Sequence, residues 1–265
     1  MKQVAVAVIH GMGHSDHNFA DDFIDLVEKN LGSELKATVG WIPLHWADLL
    51  EGRQQRYLDN ANASARLDWQ DLRDFVVHTL GDAVAYQQEP GFTNPTYWKV
   101  QAKIKLAFKQ AWAFDFQRRD VPLIWVANSL GSHVMSTYIW DMMHERGMVS
   151  ASAFLRQETI RGIFTTGSSL PLFSFAYHDV VPVHLPEGAK WYNIYDRDDI
   201  LGWPLKPINE AYDKAVTEDI QINAGNLRTC WNPLCHLDYW TDNDVVSRVA
   251  DFIRETLDTE EKTNV

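Results

Sequence analysis

The feature that most constrains the fold is a short apolar run that ends at a serine flanked by small residues. Residues 121–126 are nearly all apolar, with the β-branched and aromatic side chains that are typical of a buried strand. The pentapeptide Ala127-Asn128-Ser129-Leu130-Gly131 follows at once, and apolar residues then recur at helical spacing as far as Met142. The sequence therefore predicts a strand, a sharp turn that carries Ser129, and a helix.

A serine in such a turn has two interpretations. In the first, a strained backbone exposes the hydroxyl of Ser129 at the edge of the sheet, and the residues two positions to either side come too close to carry large side chains. In the second, an ordinary strand–helix turn happens to contain a serine. Ala127 stands where glycine is commoner, and it still fits sterically. The pentapeptide alone leaves both interpretations open.

Strand and helix patterns alternate along the rest of the chain. A helix with an apolar face is expected to end at Gly32, Pro43 is expected to break the second strand, and residues 241–244 are expected to cap a last helix. Five further segments have the pattern of a strand, because each either lacks a polar face or contains a short apolar run. They cover residues 4–9, 38–46, 160–166, 191–195 and 217–222. This alternation predicts an α/β fold with a mostly parallel central sheet flanked by helices.

The chain shows no internal repeat and no composition break that would mark a second domain. We therefore predict a single domain over residues 1–265. Residues 47–119 are helical in pattern throughout and rich in aromatic side chains, some of them outside the main apolar stripe. This region is expected to be a helical insertion before the strand that leads to Ser129, and it could form part of a lid.

Charge and cysteine content narrow the classes of partner and compartment. The 24 Lys and Arg residues against 36 Asp and Glu residues give a net charge of −12, which disfavours nucleic acid or an anionic membrane surface as the main partner. Only Cys230 and Cys235 are present, and reduced thiols are expected. Residues 4–9 are too few for a signal peptide or a membrane span. These features predict a cytoplasmic protein with no integral membrane segment.

Four polar features fall at the predicted carboxyl ends of strands or in the loops after them, where groups that do chemistry gather in parallel sheets. They are the His10–Gly13 loop, Ser129, the acidic cluster at 196–199, and His236. Their order along the chain is a glycine loop, a serine, an acid and a histidine. In this order and in its elbow, the chain resembles α/β-hydrolase-fold serine hydrolases of the lipase and esterase kind.

The resemblance implies a role for each matching residue. Ser129 matches the nucleophile, and His236 matches the general base. Leu130 and Met12 match the two residues whose backbone N–H groups bind the oxyanion. A resting imidazole that is oriented by a carboxylate would accept the proton of the serine hydroxyl during attack.

The acid is one of three neighbouring aspartates. Asp198 fits the family pattern best because it is followed by Asp199-Ile200-Leu201-Gly202, so we expect it to be the triad acid. Asp196 lies close to the end of the strand, and Asp199 is one residue away in register. Both stay open as alternatives.

The resemblance implies hydrolysis of a small-molecule carboxylic ester with an apolar acyl or alcohol part, through an acyl-enzyme intermediate. Thioesterases, amidases and acyltransferases use the same parts, and the sequence does not distinguish them. A non-catalytic protein of this fold that binds a ligand is the alternative from another class. No phosphate loop, zinc-ligand set or dinucleotide fingerprint occurs in the sequence, so no cofactor and no metal are expected.

Overall fold

The core of the protein is a parallel β-sheet. We describe a computed structural model, which covers residues 1–11, 16–65, 67–87, 93–144, 152–175, 179–225 and 233–263. Within these residues the sheet has six strands in the order β2-β1-β3-β4-β5-β6, and every neighbouring pair is parallel. The strands are β1 (Val4–Ile9), β2 (Val39–Leu44), β3 (Leu123–Asn128), β4 (Ile160–Thr166), β5 (Lys190–Asp196) and β6 (Glu218–Ile222).

Helices connect consecutive strands or follow the last one. They are α1 (Asp21–Lys36), α2 (Asp48–Ser64), α3 (Gln70–Tyr86), α4 (Pro95–Phe114), α5 (Leu130–Met143), α6 (Leu170–Ser174), α7 (Glu210–Ala215) and α8 (Asn243–Thr263). Short 3₁₀ segments cover Lys206–Ile208, Pro233–Leu237 and Tyr239–Thr241. The expected α/β architecture, a parallel sheet flanked by helices, is confirmed.

The two faces of the sheet build two hydrophobic cores. Along β1, Ala5, Ala7 and Ile9 contribute to the core that also contains apolar residues of α4 and α5. Val4, Val6 and Val8 point to the opposite core, which contains apolar residues of α1 and α8. Successive side chains of a strand point to opposite faces of the sheet. Because helices cover both faces here, the strand needs apolar side chains at every position.

Two details of the sequence-based prediction are wrong. The first helix does not end at Gly32: that residue has φ 83° and ψ 171°, which interrupts the helix, and α1 then continues to Lys36. Pro43 does not break the second strand, since β2 runs through it and pairs it with Val8. β2 lies at the edge of the sheet, which is where a strand tolerates proline.

The N-terminus of α8 follows the prediction. The Asp242 carboxylate accepts a hydrogen bond from the Asp244 backbone N–H at 2.8 Å, and so caps the helix. The buried face of α8 includes Val245, Val249 and Ile253.

The region between β2 and β3 contains α2, α3 and α4. The last of these helices belongs to the core, where Val100, Ile104 and Phe108 are buried. Phe116, just beyond α4, packs against Gly40 of β2. The predicted insertion at 47–119 and its role as a lid stay predictions. No helix in the described ranges is long and apolar enough to cross a membrane.

Candidate active site

Ser129 occupies a sharp turn between β3 and α5. Its backbone angles are φ 52° and ψ −126°, a combination that an L-residue rarely adopts and that a surrounding structure must enforce. Neighbouring contacts supply that enforcement. The Ser129 N–H donates to the Thr166 carbonyl at 2.9 Å, and the Asn128 side chain donates to the Thr166 hydroxyl at 3.1 Å. The expected strand–turn–helix with a strained serine is confirmed as a backbone geometry.

Small residues beside the turn are required by close approach. A Cβ on Gly131 would collide with the backbone oxygen of His10 at the end of β1. A Cβ on Gly11 would lie 2.5 Å from the Cβ of Ser129. Gly11, which follows β1, therefore lies directly against the serine, as the order of the motifs along the chain predicts.

His236 lies within hydrogen-bonding distance of Ser129. The Nε2 atom of His236 is 2.8 Å from Ser129 Oγ, although the two residues are 107 positions apart in the sequence. The Nδ1 atom of the same ring is 2.8 Å from Asp199 Oδ2. Ser129 and Asp199 follow the carboxyl ends of β3 and β5, while His236 lies in the 3₁₀ segment Pro233–Leu237. The structure thus brings together a serine, a histidine and an aspartate.

These contacts determine which nitrogen of His236 carries the proton in the resting state. An ionised carboxylate can only accept hydrogen bonds, so the Nδ1–H of His236 donates to Asp199. Nε2 of the neutral ring is then an acceptor for the Ser129 hydroxyl. The arrangement leaves Nε2 able to take the hydroxyl proton.

The expectation that Asp198 contacts the histidine is wrong, because Asp199 occupies that position. The chain turns back after β5, with the Asp199 N–H donating to the Asp196 carbonyl at 3.3 Å. This turn buries the Asp199 side chain completely, whereas 34% of the Asp198 side chain is exposed. Asp198 lies 3.5 Å from Arg197 Nε in an exposed ion pair.

Asp196, the other alternative, holds the turn together. Its Oδ1 accepts the Asp198 N–H at 2.7 Å, and its Oδ2 accepts the Ala224 N–H at 2.6 Å. The carboxylate thereby ties the turn after β5 to the segment after β6. Both of its oxygens are engaged with backbone groups, which indicates a structural part for Asp196.

Two glycines leave room for the Asp199 carboxylate. A Cβ on Gly202 would collide with Asp199 Oδ2. Gly167 has φ 52°, and a Cβ there would lie 3.1 Å from both Asp199 Oδ2 and His236 Cε1. Because both positions border the aspartate–histidine pair, any side chain at either would displace it.

Hydrogen bonds keep Asp199 ionised despite its burial. Burial by itself raises the pKa of this carboxyl group, but the hydrogen bond and charge of His236, the Leu201 N–H at 2.9 Å and the Tyr239 hydroxyl at 2.9 Å together outweigh it. The pKa of Asp199 therefore lies below its usual value. Tyr239 was not predicted from the sequence. Its position three residues after His236, at the start of the next 3₁₀ segment, is the signal that could have indicated it.

One of the two expected oxyanion donors lies in the described structure. Leu130 is the first residue of α5, and a backbone N–H at this position has no acceptor within its own helix. It therefore adjoins Ser129 as a donor that its own helix leaves without an acceptor. Met12, the expected source of the second N–H, lies outside the described residues.

Two further buried histidines border the turn. His10 accepts the Trp46 N–H at its Nε2 at 3.0 Å, and burial lowers its pKa to about 3. His133, one helical turn after the serine, stacks on Phe173 with ring centroids 4.3 Å apart, and burial lowers its pKa to about 4. Both rings are neutral at physiological pH.

The described residues contain possible metal ligands and one cysteine thiol. Among them, no three His, Cys, Asp or Glu side chains cluster as metal ligands would. Cys235 is buried and unpaired, and burial raises the pKa of its thiol to about 12, so it is a neutral thiol. Cys230 lies outside the described residues.

Comparison with known proteins finds similarity to solved structures only. No protein-family model matches the sequence, and no curated protein matches it. Among solved structures, a dienelactone hydrolase from Anabaena variabilis is similar over 96% of this chain and 85% of that chain, with 12% sequence identity and a TM-score of 0.44. The parallel sheet and the strained serine between β3 and α5 match the α/β-hydrolase fold, which confirms the expected fold class.

Proposed function

We propose that this protein is a serine hydrolase that cleaves a carboxylic ester with an apolar acyl or alcohol part. The observation that carries the proposal is the continuous hydrogen-bonded chain from Ser129 Oγ through His236 to Asp199, with 2.8 Å at each step. Serine, imidazole and carboxylate in this sequence of contacts are the groups that activate a hydroxyl for acyl transfer.

In the proposed reaction, Ser129 Oγ attacks the ester carbonyl carbon while its proton passes to His236 Nε2. The resulting imidazolium is stabilised by Asp199 and then gives the proton to the leaving alcohol, which departs as the C–O bond breaks. An acyl group remains on Ser129. A water molecule, deprotonated by the same nitrogen, attacks the acyl carbon, and the acid is released as the proton returns to Ser129.

Backbone N–H groups stabilise the negative charge that develops on the carbonyl oxygen in this reaction. We assign the N–H of Leu130 to this part on its position at the start of α5, and the N–H of Met12 on the sequence resemblance. In related chemistry one such donor contributes on the order of 3 kcal/mol to the transition state. No cofactor or metal takes part in the proposed steps.

Exposed apolar side chains on segments that carry or adjoin triad residues support an apolar substrate. Large hydrophobic residues are exposed on the segments that follow β4 and β5 and on the segment that carries His236. They are Leu172, Phe175, Ile200, Trp203 and Leu237. Ile200 and Leu237 are sequence neighbours of Asp199 and His236, respectively. Exposed apolar side chains on segments that carry or adjoin reactive groups favour a ligand that can cover them.

Labelling with a fluorophosphonate probe tests the chemistry. Wild-type protein should become covalently labelled, and Ser129→Ala should not. Ser132→Ala is a matched control, because Ser132 is a fully buried serine in the next turn of α5. It should be labelled like wild type. Unlabelled wild-type protein would favour the alternative of a non-catalytic binding protein.

A series of p-nitrophenyl esters with acyl chains of increasing length tests the substrate class. Turnover should rise from short to medium chains as apolar contact grows, by about threefold to fourfold per buried methylene group at most. Matched thioester and amide substrates distinguish a thioesterase or an amidase, and added alcohol acceptors reveal an acyltransferase. A cytoplasmic location and a freely diffusing small-molecule ester remain part of the proposal.

A further inference from the structure

A tyrosine shares the oxygen of the acid that orients the histidine. The Tyr239 hydroxyl lies 2.9 Å from Asp199 Oδ2, the same oxygen that is 2.8 Å from His236 Nδ1. Tyr239 is fully buried and begins the 3₁₀ segment Tyr239–Thr241. Its ring meets that of His236 edge to face, with centroids 6.2 Å apart.

The direction of the tyrosine's hydrogen bond is determined by a second contact. The Asp196 backbone N–H donates to the Tyr239 oxygen at 2.9 Å. A backbone N–H can only donate, and an ionised carboxylate can only accept. The hydroxyl proton of Tyr239 therefore points to Asp199, and the phenol links the first residue of the acidic turn to its last.

The phenol remains protonated in this position. Burial raises the pKa of Tyr239, and the negative charge of Asp199 together with the hydrogen bond to it raises the pKa further. Tyr239 is therefore a permanent donor to the carboxylate over the pH range in which enzymes are assayed.

We propose that Tyr239 is a positioning residue, which holds the Asp199 carboxylate in the orientation that His236 requires and sets how strongly that carboxylate attracts the proton of the imidazole. The inference rests on the proposed hydrolase function. Tyr239 does not touch the substrate; it acts through Asp199. One short stretch of chain then supplies both the base and the donor that holds the acid.

Removing the hydroxyl should change the titration of the site in a defined direction. A hydrogen bond to a carboxylate withdraws negative charge from it, and the loss of that bond leaves more charge facing the imidazole. The protonated ring is then favoured. In Tyr239→Phe, the acid limb of the pH dependence of kcat/KM should move to higher pH by about half a unit to one unit.

Other ionisable groups lie on the two segments that carry Asp199 and His236, and they must stay unchanged in the comparison. Asp196 and Asp198 lie on its own turn, and Cys235 and Asp238 flank His236. Burial raises the pKa of the Cys235 thiol, and the charges of these aspartates raise it further, so the thiol adds no charge of its own. A substitution at Tyr239 keeps all four side chains, and of these residues Asp196 loses one contact, the hydrogen bond from its backbone N–H to the tyrosine oxygen.

The test uses the full-length protein and three variants at matched conditions. Tyr239→Phe should lower kcat about tenfold with little change in KM, in addition to the shift of the acid limb. Tyr212→Phe is the control: this tyrosine of α7 is also buried, and it packs on Trp191 near the start of β5, whereas Asp199 follows the other end of that strand. This substitution should leave kcat and the acid limb of kcat/KM at their wild-type values.

A fluorinated tyrosine introduced at 239 gives the opposite sign without removing a contact. Fluorination makes the phenol a stronger donor, so the acid limb should move to lower pH. This variant keeps the shape of the side chain, so it can test the proposal even if Tyr239→Phe fails to fold. An unmoved limb in both variants overturns the proposal, even if the rate falls, because a merely structural tyrosine would change stability and rate without changing the titration.

Nuclear magnetic resonance separates this proposal from the proposed function. The titration midpoint of the ¹⁵N-labelled His236 ring can be measured without turnover, and it should shift in the same directions as the acid limb. A wild-type protein without probe labelling or ester turnover contradicts the hydrolase function. A His236 titration that ignores the substitution at Tyr239 contradicts the role of the tyrosine.

Discussion

Gly11 and Ser129 approach so closely that a Cβ on the glycine would lie 2.5 Å from the Cβ of the serine. Real Cβ atoms do not come this near each other, so Gly11→Ala must push the loop after β1 away from the serine. In the proposed hydrolase, kcat/KM should fall by about a hundredfold, because a displacement of about 1 Å at a reacting centre has effects of this size. Ester hydrolysis measures the loss of activity, and thermal melting measures whether the displaced loop also lowers stability.

Gly52 in α2 provides the matched control for that substitution. No described atom lies within 4 Å of a Cβ built on this glycine. Gly52→Ala should leave turnover unchanged and stabilise the helix by about 0.5 to 1 kcal/mol, because alanine loses less backbone freedom on folding. Equal losses of activity in the two variants would show that the Gly11 effect is not local to the serine.

The choice between neighbouring aspartates is a second prediction. Asp199→Asn should lower kcat by about 10³-fold to 10⁴-fold, since an amide can no longer fix the tautomer of His236 or stabilise its protonated form. Asp198→Asn should stay within about twofold of wild type, because its partner is an exposed ion pair of little energetic weight. Steady-state kinetics on one activated ester decides between them, and a larger loss at Asp198 would contradict the acid assignment.

The strained backbone of Ser129 has a measurable effect on stability. Both Ser129→Gly and Ser129→Ala remove the hydroxyl, but glycine adopts a positive φ without steric strain whereas alanine does not. The glycine variant should therefore unfold with a free energy about 1 kcal/mol higher than the alanine variant. Urea denaturation of the two inactive proteins measures this difference, and a more stable alanine variant would rule out strain at this turn.

His133 should make the protein sensitive to acid. Burial lowers its pKa from 6.5 to about 4, so between these values the unfolded chain binds a proton that the folded chain does not. Its stabilising effect is complete above about pH 6.5 and decreases as the pH falls, by about 2 kcal/mol between pH 7 and pH 5.

Replacing the ring tests that linkage. His133→Phe retains the stacking on Phe173 and removes the titrating group. The decrease in melting temperature between pH 7 and pH 5 should be smaller in this variant than in wild type. Some acid sensitivity should remain, because His10 is buried and neutral in the same way. Identical decreases in both proteins would mean that His133 is not the responsible group.

The sheet could be predicted from the sequence because its strands are buried on both faces. Such strands, like Val4–Ile9, are apolar without alternation and stand out from the helices between them. The strand, turn and helix around Ser129 were also predictable from their pattern, but the close approach that requires glycine at 131 comes from His10, which is distant in the sequence. Pro43 and Gly32 misled the prediction for a physical reason: the effect of proline depends on whether a strand lies at an edge, and glycine can interrupt a helix without ending it.

The acid could not be identified from spacing, because the chain reverses direction within the turn itself. Asp196, Asp198 and Asp199 differ little in sequence position, but one binds backbone groups, one faces solvent and one is buried against the histidine. The contacts that select Asp199 come from Gly167, Gly202 and Tyr239, each on a different segment. Local patterns contain no information on such contacts.

The distance of 107 positions between Ser129 and His236 has a consequence for the growing chain on the ribosome. A nascent polypeptide that has already assembled β1 to β5 contains the serine and the acid but still lacks the base. In the proposed enzyme, chemistry therefore begins only after the segment beyond β6 has emerged and docked. The appearance of ester hydrolysis would therefore report the last step of folding during synthesis. Translation that stops before this segment would release an inactive protein with most of its sheet formed.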